Sequence, residues 1–378
     1  MSRIPTVLFI QASEAGAYPP LINAATLFSR AGWRTVFLSA PVIDQTMALP
    51  NIPGMALEEI RPRPSHIMGK TAYAEYCRRS VALSIRFKPD VVYCSDAIGA
   101  LPGLMAAAVG GSRLIYHEHD SPNMHTDLRF PVRMSRRAAA RRAYLVVLPN
   151  ADRAAKLCSE LVIDPSRVRI VWNAPLRDEV ARSIQPRPSS RFWLHYHGSI
   201  NPDRLPQAVV EAAAEIEGVG VRIVGYETSS GRGHVRRLIE RFGSAANGGK
   251  IDWVGEKLRG ELLAIAMNGD VGLALVPLRS DDTNLRHMTG ASNKIFDYMA
   301  AGLPAIVSDL PDWNEMFVRP GHAVAADPED VESLKGAIRS LVDAPDLAAS
   351  MGRRNREKIL TEWNYETQFA PVLDALLE

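Results

Sequence analysis

The chain has 378 residues, 47% of them hydrophobic, with a formal net charge of +2 and three cysteines. That length exceeds what one core sustains, so two domains of roughly 170 to 190 residues are expected. A charge this close to zero gives no reason to expect nucleic acid as a partner, and Cys77, Cys94 and Cys158, odd in number and without a Cys-x-x-Cys, read as reduced thiols of a cytosolic protein.

Thr6 to Ile10 reads as a short apolar strand, followed by a loop from Gln11 to Tyr18 and an apolar-periodic helix from about Pro19 to Arg30 that Gly32 stops. The run from Val7 is too short for a signal peptide or a membrane span and no later stretch is long enough. The expected location is the cytoplasm, with any membrane contact peripheral, at the inner face. Val36 to Leu38 completes a β-α-β unit, whose strand-end loop is where doubly wound folds place ligands. Gly16 in that loop is either an ordinary turn glycine or one that lets backbone approach a ligand. Met47 to Met68, with several prolines and little periodicity, reads as a loop-rich insert. A helix over Tyr73 to Arg86, a strand over Val91 to Tyr93, a small-residue helix over Gly99 to Ala108 and a strand over Leu114 to His117 give the alternation of a parallel sheet with helices on its faces.

That strand runs into His117-Glu118-His119-Asp120. Alternation puts His117 and His119 on one side at metal-ligand spacing, so a hydrolase-type metal site is weighed against histidines merely packed at a strand end. A second pair, His195 and His197, lies at another strand end, but no complementary downstream His-Asp cluster is evident and no metal is expected. Arg133, Arg136, Arg137 and Arg141 share one stripe of the next helix, with Arg142 beside it. The stripe is either a solvated face or a surface for anionic lipid headgroups or the phosphates of a lipid-linked acceptor. A strand over Leu145 to Leu148, a helix to about Leu161 and a strand over Val168 to Trp172 lead to Asn173-Ala174-Pro175. The polar stretch Arg177 to Ser190 is the best linker candidate, with a domain boundary near residue 180.

The second half opens as the first did. Phe192 to Tyr196 is a strand, His197-Gly198-Ser199-Ile200 a turn, and Leu205 to Glu217 a helix. Gly198 permits close backbone approach, and Arg204 near the helix start is placed to neutralise a diphosphate or is an unremarkable surface arginine. Val221 to Val224, with Gly225 as its turn, and Ile251 to Val254, ending in Gly255, are further strands. Asp270 to Pro277 is another, entering a loop from Leu278 to Gly290 whose Asp281-Asp282 reads as solvated. Ala305 to Ser308 is a strand, Glu329 to Val342 and Leu347 to Leu360 are amphipathic helices, and a last helix covers about Tyr365 to Leu377.

Ahead of Ala305 stands the most informative stretch, Ala291 to Asp309, ASNKIFDYMAAGLPAIVSD. Ser292 is placed to cap a helix through its hydroxyl, Asn293 and Lys294 open it, and Gly302 with Pro304 closes it. Lys294 and Asp297, three apart, share one face of the first turn, where free N–H groups and the helix dipole favour an anion. A phosphate would sit on the helix end and Lys294 while Asp297 accepts from sugar or ribose hydroxyls; the plain alternative is a surface Lys294–Asp297 ion pair. The run resembles the signature NK-x-F-E-Y-M-A-x-G-x-P of the retaining glycosyltransferases of family 4 and their relatives, which have the GT-B fold. Asp297 stands at the acidic position that grips the ribose, one methylene shorter than the usual Glu. Thr289 stands where the general pattern has another Glu.

That resemblance implies roles elsewhere in the chain. His119 takes the place of the imidazole that faces the donor sugar, with Asp120 orienting it or helping to receive the acceptor. Gly16 lies where relatives often have two or more glycines. Gly198 and Arg204 take the place of the turn and basic residue that bind the donor phosphates, and backbone near Val254 and Gly255 would line the base. The implied architecture is α/β, two Rossmann-like doubly wound domains facing across a cleft: residues 1–180 on the acceptor side, 181–362 on the donor side, and 363–378 a helix crossing back to the first domain. The implied activity is retaining transfer of a hexose-type sugar from a nucleotide-diphosphate donor to an acceptor glycan or lipid-linked sugar, in bacterial surface polysaccharide or glycolipid assembly. No cofactor or obligatory metal is expected, and an anionic membrane surface is a candidate partner. The rivals are a nucleotide-sugar 2-epimerase of the same fold, a two-domain solute-binding protein, which should carry an export signal, and the metal hydrolase.

Overall fold

A computed structural model describes residues 3–14, 16, 18–42, 51–63, 68–122, 128–180 and 191–377. Most of the expected linker, residues 181–190, lies outside them, as do residues 47–50 and 64–67 of the expected insert. The chain divides into two compact α/β units: Met1–Asn173 with Asp282–Ala291 and Tyr365–Glu378, and Ala174–Asp281 with Ser292–Asn364.

The first unit holds a parallel sheet of β1 (Thr6–Ile10), β2 (Arg34–Ser39), β3 (Met55–Glu59), β4 (Val91–Ser95), β5 (Arg113–His117), β6 (Leu145–Leu148) and β7 (Val168–Ile170), in the order β3-β2-β1-β4-β5-β6-β7. The second holds β8 (Phe192–Ile200), β9 (Val219–Glu227), β10 (Ile251–Gly255), β11 (Val271–Ala274), β12 (Ala305–Ser308) and β13 (Ala323–Ala326), in the order β10-β9-β8-β11-β12-β13. Both follow the doubly wound arrangement in which the strand order reverses beside the first strand, so ligands belong outside the carboxyl ends of β1 and β4, and of β8 and β11. β1 and β4 are buried along their whole length because helices cover both faces, which is why they read as unbroken apolar runs.

Four features differ from the sequence reading. Met55–Glu59, expected within a loop-rich insert, is an edge strand parallel to β2; none of its five residues is fully buried and two are Glu, so it lacks an apolar signal. Ala323–Ala326 adds an edge strand beside β12 that its small residues did not announce. His197 to Ile200, expected as a turn, continues β8 against β9 with Gly198 opposite Gly225. These glycines have φ of +110° and +136°, and a Cβ on Gly225 would lie 2.0 Å from the Gly198 carbonyl oxygen, so the two strands stay paired only with glycine here. Helices over His234–Phe242 and Arg259–Ala266 were likewise not anticipated.

The expected continuous 181–362 domain is also interrupted, since Asp282–Ala291 belongs to the first unit. The buried Arg153 guanidinium donates to the carbonyls of Asn284 (2.8 Å) and His287 (2.9 Å), and Asn150 Nδ2 donates to that of Thr289 (2.6 Å). These bonds tie the segment's backbone to the helix Ala151–Leu161 and its N-cap residue in the first unit. The last helix, Tyr365–Leu377, is part of the first unit. Phe369 packs edge-on against Phe28 at 5.8 Å, and the Tyr144 hydroxyl donates to the Ala375 carbonyl at 2.6 Å. Among the described residues no helix is long and apolar enough to cross a membrane.

Candidate functional site

In the second unit the helix Asn293–Ala300 forms as its punctuation predicts, and its apolar face, Ile295, Phe296 and Met299, is buried. Ser292 occupies the N-cap position, but its hydroxyl makes no capping bond, contrary to expectation. The first N–H groups of the helix are therefore not taken by that side chain, and Asn293 Oδ1 is buried there without a partner.

Lys294 and Asp297 are not the ion pair the sequence allowed. Asp297 is 1% exposed and receives both terminal nitrogens of Arg259, at 2.5 and 2.7 Å, and His197 Nε2 at 3.1 Å. Arg259 Nε in turn reaches Glu179 at 3.1 Å, and His197 Nδ1 lies 3.3 Å from His195 Nε2. Burial pushes the Asp297 carboxyl up, but Arg259 and then His197 more than reverse this and hold it at about 2. An ionised Asp297 needs the proton on His197 Nε2, which makes Nδ1 an acceptor from His195. The two histidines expected as a candidate metal pair thus form a relay ending on Asp297.

Lys294 has turned to the other side. Its ammonium lies 5.4 Å from the Tyr196 ring centre, and a Cβ on Gly198 would stand 3.2 Å from Lys294 Cε, so glycine at 198 leaves room for the lysine. Arg204 Nη1 bonds Ser199 Oγ at 3.2 Å. Burial, followed by the charge of Arg204, lowers the Lys294 pKa to about 7. Among the described residues no carboxylate lies within ion-pair distance of either cation. Gly198, Arg204, Ser292, Asn293 and Lys294 therefore come together as a cationic cluster at the carboxyl end of β8. Val254 and Gly255 end β10, where a register shift and a φ of +82° at Gly255 break the pairing with β9.

In the first unit His119 follows β5. Its backbone is fixed at both ends: the N–H donates to Asp96 Oδ1 at 2.8 Å, and the carbonyl accepts from Arg153 Nη1 at 2.8 Å. The ring is 4% exposed and lies 3.6 Å centre to centre from that of His117, and among the described residues neither nitrogen has a hydrogen-bond partner. Burial, then the Arg153 charge, lowers the imidazole to about 3, so it is neutral near pH 7. Asp120 is exposed and does not bond the ring; it is Asp96 that fixes this turn, with a left-handed φ of +56°. Gly16 lies partly buried after β1. Among the described residues no three His, Cys, Asp or Glu side chains are grouped to hold a metal ion.

The arginine stripe is split. Arg136 is buried and chelated by the fully buried Glu118 (2.7 and 2.9 Å) and by Glu160 (2.9 Å), whereas Arg133, Arg137, Arg141 and Arg142 are exposed on the helix Phe130–Arg142. The sequence reading did not pick out Arg259, Glu179, Asp96 or Arg153 as site residues. Nothing local marks them, because each partner is distant in the chain.

The two parallel doubly wound sheets are those of the GT-B glycosyltransferase fold. Residues 204–374, somewhat under half of the chain, match the family described as "Glycosyl transferase-like". The chain is 27% identical over 154 residues to the UDP-N-acetylglucosamine--N-acetylmuramyl-(pentapeptide) pyrophosphoryl-undecaprenol N-acetylglucosamine transferase of Bordetella petrii, and the match spans 39% of this chain and 42% of that protein. Among solved structures, Anabaena HepE, in complex with UDP and glucose, superposes over 100% of both chains with a TM-score of 0.74 at 14% identity. WaaG, a glycosyltransferase involved in lipopolysaccharide biosynthesis, covers 97% of this chain and 98% of its own, with a TM-score of 0.66 at 13% identity.

Proposed function

We propose that the protein is a retaining, family 4-like glycosyltransferase that moves a hexose-type sugar from a nucleotide-diphosphate donor to an acceptor hydroxyl. The observation that carries this reading is the pair Arg204 and Lys294, two cations without a carboxylate partner among the described residues, beside Gly198 and the open amino end of Asn293–Ala300. Such a cluster suits a diphosphate. It binds the donor, and its charge becomes more favourable as the glycosyl–oxygen bond breaks and negative charge builds on the leaving phosphate. The residues matching the family 4 signature, Asn293 to Pro304, support retention, with the departing phosphate taking the acceptor's proton.

His119 supplies a neutral imidazole whose unpaired nitrogens suit sugar hydroxyls. Arg204 and Lys294 provide the positive charge that a metal supplies elsewhere, so no obligatory metal is needed and transfer should proceed unchanged in EDTA. The names of the relatives and the acceptors they imply support a role in surface glycan or glycolipid assembly. Exposed Phe130 and Met134 beside Arg133 and Arg137 support peripheral contact with an anionic membrane.

Calorimetry with UDP, GDP, ADP, TDP and CMP tests the reading. One diphosphate should bind selectively and lose affinity in Lys294→Ala. Equal indifference to all five, or wild-type affinity in the variant, would remove the assignment.

A further inference from the structure

Asp297 stands at the acidic position to which the signature resemblance assigns the ribose, yet it is 1% exposed here and Arg259, at 21%, lies over it. A ligand that approaches Asp297 meets Arg259 first. A guanidinium carries five N–H groups. Nε is bonded to Glu179, and one hydrogen on each terminal nitrogen goes to Asp297, which leaves one further N–H on each terminal nitrogen.

The charges sort the cations Arg204, Lys294 and Arg259 into two kinds. Arg204 and Lys294 have no carboxylate partner among the described residues, which suits phosphate. Arg259 is already balanced by Asp297 and Glu179, so it attracts an anion weakly and suits a neutral acceptor such as a hydroxyl. Position agrees with charge. Arg259 begins the helix that follows β10, and Asp297 lies about one turn beyond the amino end of Asn293–Ala300, where the group next to a seated diphosphate is a ribose.

The geometry points to Arg259 as the side chain that meets the donor nucleoside, donating to a ribose hydroxyl through the N–H groups that Asp297 and Glu179 leave over, with Asp297 behind it as a positioning residue. This rests on the nucleotide-diphosphate reading above. It also accounts for the acid in this signature being one methylene shorter than Glu: the shorter arm stays in the wall and the arginine spans the remaining distance.

The test is calorimetry on the full chain with UDP, GDP and ADP, then with the 2′-deoxy and 3′-deoxy forms of the tightest binder, and with inorganic pyrophosphate. In the wild type, one deoxy form should bind about tenfold more weakly, the worth of one hydrogen bond to a charged donor. Arg259→Gln should abolish that difference and leave pyrophosphate binding within about twofold. Asp297→Asn, which still accepts from Arg259, should keep most of it. The reverse pattern, with the hydroxyl difference lost in Asp297→Asn and kept or enlarged in Arg259→Gln, would make Arg259 a cover over a direct Asp297 contact and overturn the inference. Arg259→Lys, which retains a charge for Asp297, serves if Arg259→Gln does not fold, and should reduce the difference. If pyrophosphate binds the wild type but no nucleotide binds more tightly, or if nothing binds, the nucleotide reading fails and this inference with it.

Discussion

The two units share one strand order and place their candidate groups at equivalent strand ends, yet the two sites are electrostatic opposites. After β8 the side chains are cations and a buried, ionised acid. After β5 the central group is a neutral imidazole whose backbone is pinned by Asp96 and Arg153 and whose ring nitrogens have no hydrogen-bond partner among the described residues. One topology thus carries a cationic cluster in one unit and a neutral imidazole in the other. What differs is which charges find counter-charges: among the described residues Lys294 and Arg204 have no carboxylate within ion-pair distance, whereas Arg136 is held by Glu118 and Glu160.

The largest effect should come from breaking a satisfied charge. Arg136→Met strands Glu118, which is fully buried, and should lower stability to urea by about 3–5 kcal/mol, while Arg137→Gln on the exposed face of the same helix should change it by less than about 0.5 kcal/mol. Equal effects would dissolve the distinction. Next, Arg204→Ala should reduce the turnover of sugar transfer by about 10²–10³ with the fold intact by circular dichroism, and an unchanged turnover would mean that leaving-group charge is handled elsewhere.

The two sites should also respond differently to pH. Lys294, near 7, must be protonated to attract phosphate, so diphosphate affinity should be full below about pH 6 and weaken toward pH 8, by up to about tenfold for each unit above the pKa, with proton uptake on binding. This dependence should vanish in Lys294→Met. His119, near 3, should add no break to the profile between pH 5 and 8. The smallest effect expected is at the surface: changing Arg133, Arg137 and Arg142 to Gln should reduce salt-sensitive binding to anionic liposomes by several-fold, and equal partitioning of both proteins would remove the membrane contact.

Much of the fold was written locally. The Gly302 and Pro304 stop, the apolar face of Asn293–Ala300 and the continuous apolar runs of β1 and β4 each depend on residues a few positions apart, and each element formed where the pattern put it. Edge strands β3 and β13 escaped because one has no fully buried residue and ends in two Glu and the other is built from small residues. The turn expected at Gly198 became strand because a second glycine, at 225, stands opposite and clears the space.

The sequence by itself determined the two-sheet α/β class, the helix that opens at Asn293 and the presence of cations near two strand ends, because capping, periodicity and residue type are properties of neighbours along the chain. Tertiary structure alone decided which charges remain available. Asp297 is claimed by Arg259, 38 residues away, and His197, 100 residues away; Arg136 is claimed by Glu118; and Asp282–Ala291 joins the first unit through Arg153 and Asn150. A charged side chain buried by folding must find its counter-charge wherever the fold brings one, and no pattern along the chain records that meeting.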